Sequence, residues 1–237
     1  MTPAQAALDD ILTQGIQVEL FRAEQCFALR LVIAERADAI NTASYGDLFG
    51  NLQQILYQFA VLSVAKVFER PSSDYPLRSL PAALAHLRTN AATLDIVNKS
   101  ALIKSLVQLG LKEEELDQLT STQFTTALCD AYTRRLPKSK KSSDNLMCQT
   151  LYAIKTVRDK FISHAEHISL ADLPDISSEG TTKLIQFATE FLLTLGRGYL
   201  SVSYTDSAGT FLRTTNAATA SRGLERLLKT PGLLPLP

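Results

Sequence analysis

Arg158, Asp159 and His164 fall within one short stretch, TVRDKFISHAEH at 156–167, and His167 ends it, so two of the chain's three histidines lie within four residues. A histidine can take up and release a proton near neutral pH. An arginine offers a planar fork of N–H groups to a phosphate and never loses its charge. An aspartate beside them can orient either one. Together they are suited to proton transfer next to a phosphate, with the arginine stabilising the charge that develops there.

The helix that would carry this stretch makes Arg158 unusual. With Met147 at zero and about 100° per residue, Leu151, Ile154, Phe161, Ala165 and Ile168 lie within about 60° of it, and Arg158 lands at about 20°, inside the apolar stripe. Asp159 swings to about 120° and His164 to about −100°. A buried guanidinium without a partner is strongly unfavourable. Arg158 therefore requires a carboxylate from another helix, or a face that opens onto a cleft or a second chain. Sealed against one Glu of its own chain, it is a packing device. Facing an open electropositive groove, it is available for chemistry.

Composition narrows the classes. The chain has 237 residues, 46% of them hydrophobic, with 24 basic and 24 acidic side chains. That balance excludes coating nucleic acid by bulk charge and still allows a local basic cleft. Cys26, Cys129 and Cys148 are odd in number and widely spaced, and the histidines have no cysteine neighbours at ligand spacing. The expectation is three reduced thiols, no metal and no cofactor. The start, MTPAQAALDD, lacks the pattern of a secretory leader, and no apolar run is long enough to span a membrane, so a cytoplasmic protein with no membrane partner is expected.

The elements that must position Arg158 read as helices almost throughout. Thr2, Pro3 and Gln5 form a helix-start signal, and Gly15 ends or bends that helix. A long segment follows over about 16–40, then a helix from Tyr45 to Arg70. Leu48, Leu52, Ile55, Phe59 and Leu62 step along it by four and three, the mark of one buried stripe. Shorter helices are expected from Ser79 to His86, from an Asn98 cap to Gly110, and from Ser121 to Arg134. RRLPKSKKSS is a solvated basic loop carrying Arg134, Arg135, Lys138, Lys140 and Lys141. Ser143 or Asp144 caps the helix that runs to about His167, and a last long helix spans Thr181 to about Tyr204. The expected plan is one all-α domain. Its helical core covers about 16–70 and 143–205, a helical insertion about 79–142, and a weakly structured tail 206–237.

RDKFISHAE resembles the signature of the HEPN superfamily, and within it the AbiU-like proteins of abortive-infection systems: an Arg, a polar residue, then a His near the end of a late core helix. LSVAKVFERPSSDYPLRSLPAALAHL, an apolar helix ending in a charged pair before a leucine-bearing helix, is a second and softer match. The resemblance implies a four-to-five-helix up-and-down bundle with a helical insertion, paired as a two-fold homodimer. It further implies an endoribonuclease, acting as a toxin or in phage defence, that cuts RNA without a metal at a composite site between the chains.

In that reading Arg158 steadies the phosphate, His164 moves the proton and Asp159 orients one of them. Lys155, Lys160, His167 and the basic loop are candidate RNA contacts. The alternative is a non-catalytic HEPN-like module that pairs with a separate protein, such as a nucleotidyltransferase or an antitoxin.

Overall fold

Thr2 opens the chain with a complete capping box: its hydroxyl accepts from the Gln5 amide, and the Gln5 side chain accepts from the Thr2 amide. Helix α1 (Pro3–Ile11) follows with proline at its start. It runs without a break through a π-helical turn (Leu12–Ile16) into α2 (Gln17–Glu35). Gly15 therefore does not end the helix but sits in its π-helical turn. A side chain at Gly15 would run into the backbone and Cβ of Arg78, so the turn lets the helix lie against that crossing strand of chain. The expected segment over 16–40 is split at Arg36, after which the short α3 (Ala37–Thr42) begins.

The computed structural model describes residues 1–72, 76–163, 174–213 and 215–230. Helix α4 (Gly46–Val67) returns along α2, joined to it by Lys66 with Glu19 at 3.5 Å and by Arg30 stacked over the Tyr57 ring at 5.0 Å. Ala60, Val61, Val64, Ala65 and Val67 supply its core face. Of the stripe expected to be buried, Leu48, Leu52, Ile55 and Phe59 are exposed and Leu62 is half-buried. Spacing put those residues on one face but could not say that α4 turns a different apolar face to the core.

The middle of the chain is not an appendage to that core. Helices α5 (Leu80–Thr89), α6 (Lys99–Gln108), the short α7 (Glu113–Asp117) and α8 (Ser121–Arg135) follow. Leu80, Leu87, Leu102, Leu106, Phe124, Leu128 and Tyr132 from these helices belong to the same buried cluster as Leu12, Leu20 and Val64. The helix expected from Ser79 starts there, with Ser79 as its cap, the expected Asn98 cap is made, and Thr120 forms a second capping box with Gln123.

Asn145, not Ser143 or Asp144, caps α9 (Leu146–Val157), which passes into a π-helical turn at Arg158–Ser163. The rest of the expected run to His167 lies outside the described residues. Helix α10 (Ser178–Leu195) then packs on α9. The helix expected to reach Tyr204 instead ends in a π-helical turn (Gly196–Leu200), where Ser201 takes the left-handed conformation at φ 55°. The tail, expected to be weakly structured, holds two isolated antiparallel bridges and the amphipathic helix α11 (Thr219–Leu228). Helix α11 docks on α2, where Leu228, Ile33 and Ile40 form a small second core.

Tyr132 ties α8 to α10 from inside: its ring meets Phe191 edge-on at 4.9 Å and its hydroxyl donates to Thr194 Oγ1 at 3.0 Å. Burial is the main cause that pushes this phenol from 10.0 up to about 12, with the Thr194 bond opposing it. A folded-state pKa above the unfolded value means stability that is intact below pH 10 and is lost as pH rises towards 12. Between pH 9 and pH 11.5 Tyr132 should remove roughly 1–2 kcal/mol of stability. Urea midpoints of the wild type and Tyr132→Phe at the two pH values check this. An equal decline in both proteins would show that Tyr132 is not the group.

Candidate functional site

Two helix ends far apart in sequence build one polar cluster. Helix α4 stops at Val67, and Phe68, Glu69 and Arg70 leave it just before Pro71. The Glu69 carbonyl accepts from the buried Ser79 hydroxyl at 2.6 Å, which pins this short exit to the start of α5. Across from it, the last turn of α9 and the π-helical turn present Lys155, Arg158 and Asp159.

Glu69 joins the two sides. One of its oxygens accepts from Arg158 Nη1, and the other lies 3.6 Å from Lys155 Nζ. Lys155 also donates to the Phe68 carbonyl at 3.4 Å. Arg158 Nε donates to Asp159 Oδ1 at 2.6 Å. The side chains of Lys155, Arg158 and Glu69 are 19%, 20% and 31% exposed. Arg158 therefore has the carboxylate that its place on an apolar face required, and that carboxylate comes from its own chain. It is not sealed, because a fifth of its side chain still meets solvent.

Electrostatics follow from this half-burial. Burial pulls the Lys155 ammonium below its ordinary pKa; Glu69 opposes that and Arg158 adds to it. Burial also works against the Arg158 guanidinium, but its hydrogen bonds to Asp159 and Glu69 outweigh this and raise its pKa. Arg70, exposed, lies within Coulombic reach of Lys155, and the exposed Lys160 follows Asp159 in the same turn. Among the described residues, Lys155, Arg158, Arg70 and Lys160 against Glu69 and Asp159 make four cations and two carboxylates, an excess of two positive charges. Such a cluster can attract a phosphate and offer it a guanidinium already held in place.

The other candidates divide. His164 and His167 lie outside the described residues. From Arg158 to Ser163 the chain is π-helical rather than α-helical. Three such turns lie among the described residues, so this one does not mark the site by itself. Arg134 and Arg135 close α8, and Arg135 donates to the Leu109 carbonyl at 2.8 Å. Lys138, Lys140 and Lys141 lie in the loop that leads into Leu146, whereas Arg158 follows Val157. The twelve residues of α9 place these two basic regions about 18 Å apart along its axis.

Glu69 is the member that sequence reading did not name, although its signal was present. LSVAKVFER ends in the charged pair Glu69–Arg70, and an arginine on an apolar stripe demands an acid somewhere. His86, the one histidine among the described residues, has Nε2 2.8 Å from the Ala4 carbonyl and serves the packing of α5 on α1. The chain matches no family model, no curated protein and no solved structure.

Proposed function

We propose that the chain is a metal-independent endoribonuclease of the kind its resemblance to HEPN proteins implies, with Arg158 as the phosphate-binding residue. One observation carries the reading: the two segments that bear the resemblance meet, Glu69 at the end of α4 gripping Arg158 and Lys155 at the end of α9. RNA carries its own nucleophile, the 2′-hydroxyl. His164 would remove its proton or protonate the leaving 5′-oxygen. Arg158 would neutralise charge on the phosphorane. Asp159 would orient Arg158, to which it is bonded at 2.6 Å. The products would be a 2′,3′-cyclic phosphate and a 5′-hydroxyl. A second copy contributing its own Arg158 and His164 would complete the groove, in a toxin or phage-defence role.

A second reading has its own observation. Glu69 and Asp159, both of the same chain, already occupy the guanidinium. That arrangement suits a non-catalytic module in which the ion pairs fix the helix ends and a separate protein, such as a nucleotidyltransferase or antitoxin, is the partner.

RNA incubated with the purified chain in EDTA separates the two. The nuclease should yield fragments ending in cyclic phosphate, and Arg158→Ala and His164→Ala should each slow their appearance by about a hundredfold or more. Intact RNA beside a folded wild-type chain would favour the non-catalytic module. Cleavage that survives both substitutions would sink the assignment of the site.

A further inference from the structure

Arg158 meets its two carboxylates differently. Asp159, its neighbour in the same π-helical turn, takes Nε at 2.6 Å. Glu69 reaches across from the end of α4 and takes Nη1, while its other oxygen lies 3.6 Å from Lys155 Nζ. One carboxylate therefore addresses two cations at once, as two oxygens of a phosphodiester would. A phosphodiester carries the same single negative charge, so exchanging it for Glu69 would leave the charge of the cluster unaltered.

We infer that Glu69 is a built-in competitor of the substrate: its carboxylate stands in the phosphate position, and an RNA phosphodiester binds by displacing it. The inference rests on the nuclease reading and adds how that site is regulated. It also reconciles an occupied guanidinium with a catalytic one. Asp159 would stay on Nε and keep Arg158 aimed, and the phosphate would take over Nη1 and Lys155.

Three features make Glu69 the group that gives way. Its side chain is the most exposed of the three, 31% against 20% for Arg158 and 19% for Lys155. Among the described residues those two cations are the partners of its carboxylate, so release breaks no further bond. Its main chain is fixed, the carbonyl accepting from the buried Ser79 hydroxyl, so the swing needs side-chain rotation alone. The released carboxylate enters water, where a charge is well solvated. While Glu69 stays paired, RNA finds only the fraction of chains whose Arg158 is free, and the apparent affinity falls by that fraction.

Fluorescence anisotropy on the full chain in EDTA tests this, with a labelled single-stranded RNA that is 2′-O-methylated throughout and so cannot be cut. Glu69→Gln removes the charge and keeps the size of the side chain; it should bind this RNA about tenfold more tightly than the wild type. Glu69→Ala, shown to be folded by circular dichroism, should share the gain. Glu114→Gln removes an exposed acid on α7. It should change the affinity by about twofold at most, which separates displacement from a general gain in positive charge. Arg158→Ala should weaken binding by about tenfold or more, and adding Glu69→Gln to it should restore nothing. Binding that needs Arg158 but is unchanged or weakened by Glu69→Gln would overturn the competitor and leave the nuclease reading standing. Binding indifferent to Arg158→Ala would overturn both, as would a failure of the wild type and of Glu69→Gln alike to bind.

Discussion

Glu69→Ala is expected to lower the unfolding free energy by about 2–3 kcal/mol, less than the loss from breaking a fully buried ion pair and more than that from a surface pair. The reason is the sharing. Lys155 and Arg158 both lean on this one carboxylate, and both are about four-fifths buried. Removing it leaves two cations beside each other, and among the described residues the acid that remains there is Asp159, bonded to Arg158. The second half of the test is a double-mutant cycle. If the pair is real, Glu69→Ala should be milder by about 1 kcal/mol or more when Arg158 is already alanine. Urea unfolding of the four proteins gives both numbers. Strict additivity would mean that the Glu69 side chain does not act through Arg158, leaving Lys155 as its partner.

Gly180→Ala should be more damaging, by about 3 kcal/mol, although it adds a single carbon to the first turn of α10. A Cβ at Gly180 would collide with the side chain of Thr150, which is itself buried on α9. Neither helix can withdraw easily. Helix α10 carries Leu184, Ala188 and Phe191 into the main core, and α9 carries Leu151 and Ile154. Thr150→Ala removes the hydroxyl and methyl that a new Cβ would strike. Gly180→Ala should therefore cost clearly less in a Thr150→Ala background, read from urea midpoints of the single and double variants. An equal loss in both backgrounds would place the strain elsewhere.

Local signals in the sequence located most helix starts, although the cap expected at Ser143 or Asp144 falls one residue on, at Asn145. Thr2 with Gln5, Ser79 and Asn98 each pair a side-chain oxygen with an amide three residues on, and all three caps are made. What depends on distant chain was legible only as a requirement. Arg158 on an apolar stripe called for an acid, but nothing near it says that the acid stands 89 positions earlier.

The α4 stripe went wrong for the same reason, because periodicity reports which residues share a face and not what covers it. Helix α11 was missed because its apolar side is only Leu224, Leu227 and Leu228, too short a pattern to stand out until α2 is there to receive it. The middle helices looked like an insertion because they are short, yet Phe124 and Leu128 are as buried as Leu12.

The docking of α11 has a consequence in time. Synthesis runs from the N-terminus, and Ile33 and Ile40 are made early, but Leu228 closes over them from the last stretch of the described chain. Phe211 likewise brings its amide to Glu24 at 3.1 Å. At bacterial or eukaryotic elongation rates the outer end of α2 therefore waits roughly ten to forty seconds for its cover. Throughout that interval the nascent chain exposes Ile33 and Ile40 as well as the α4 stripe. A chaperone would meet this end of the molecule as its apolar handle, and completion of the chain would withdraw Ile33 and Ile40 from it while the α4 stripe stays in reach.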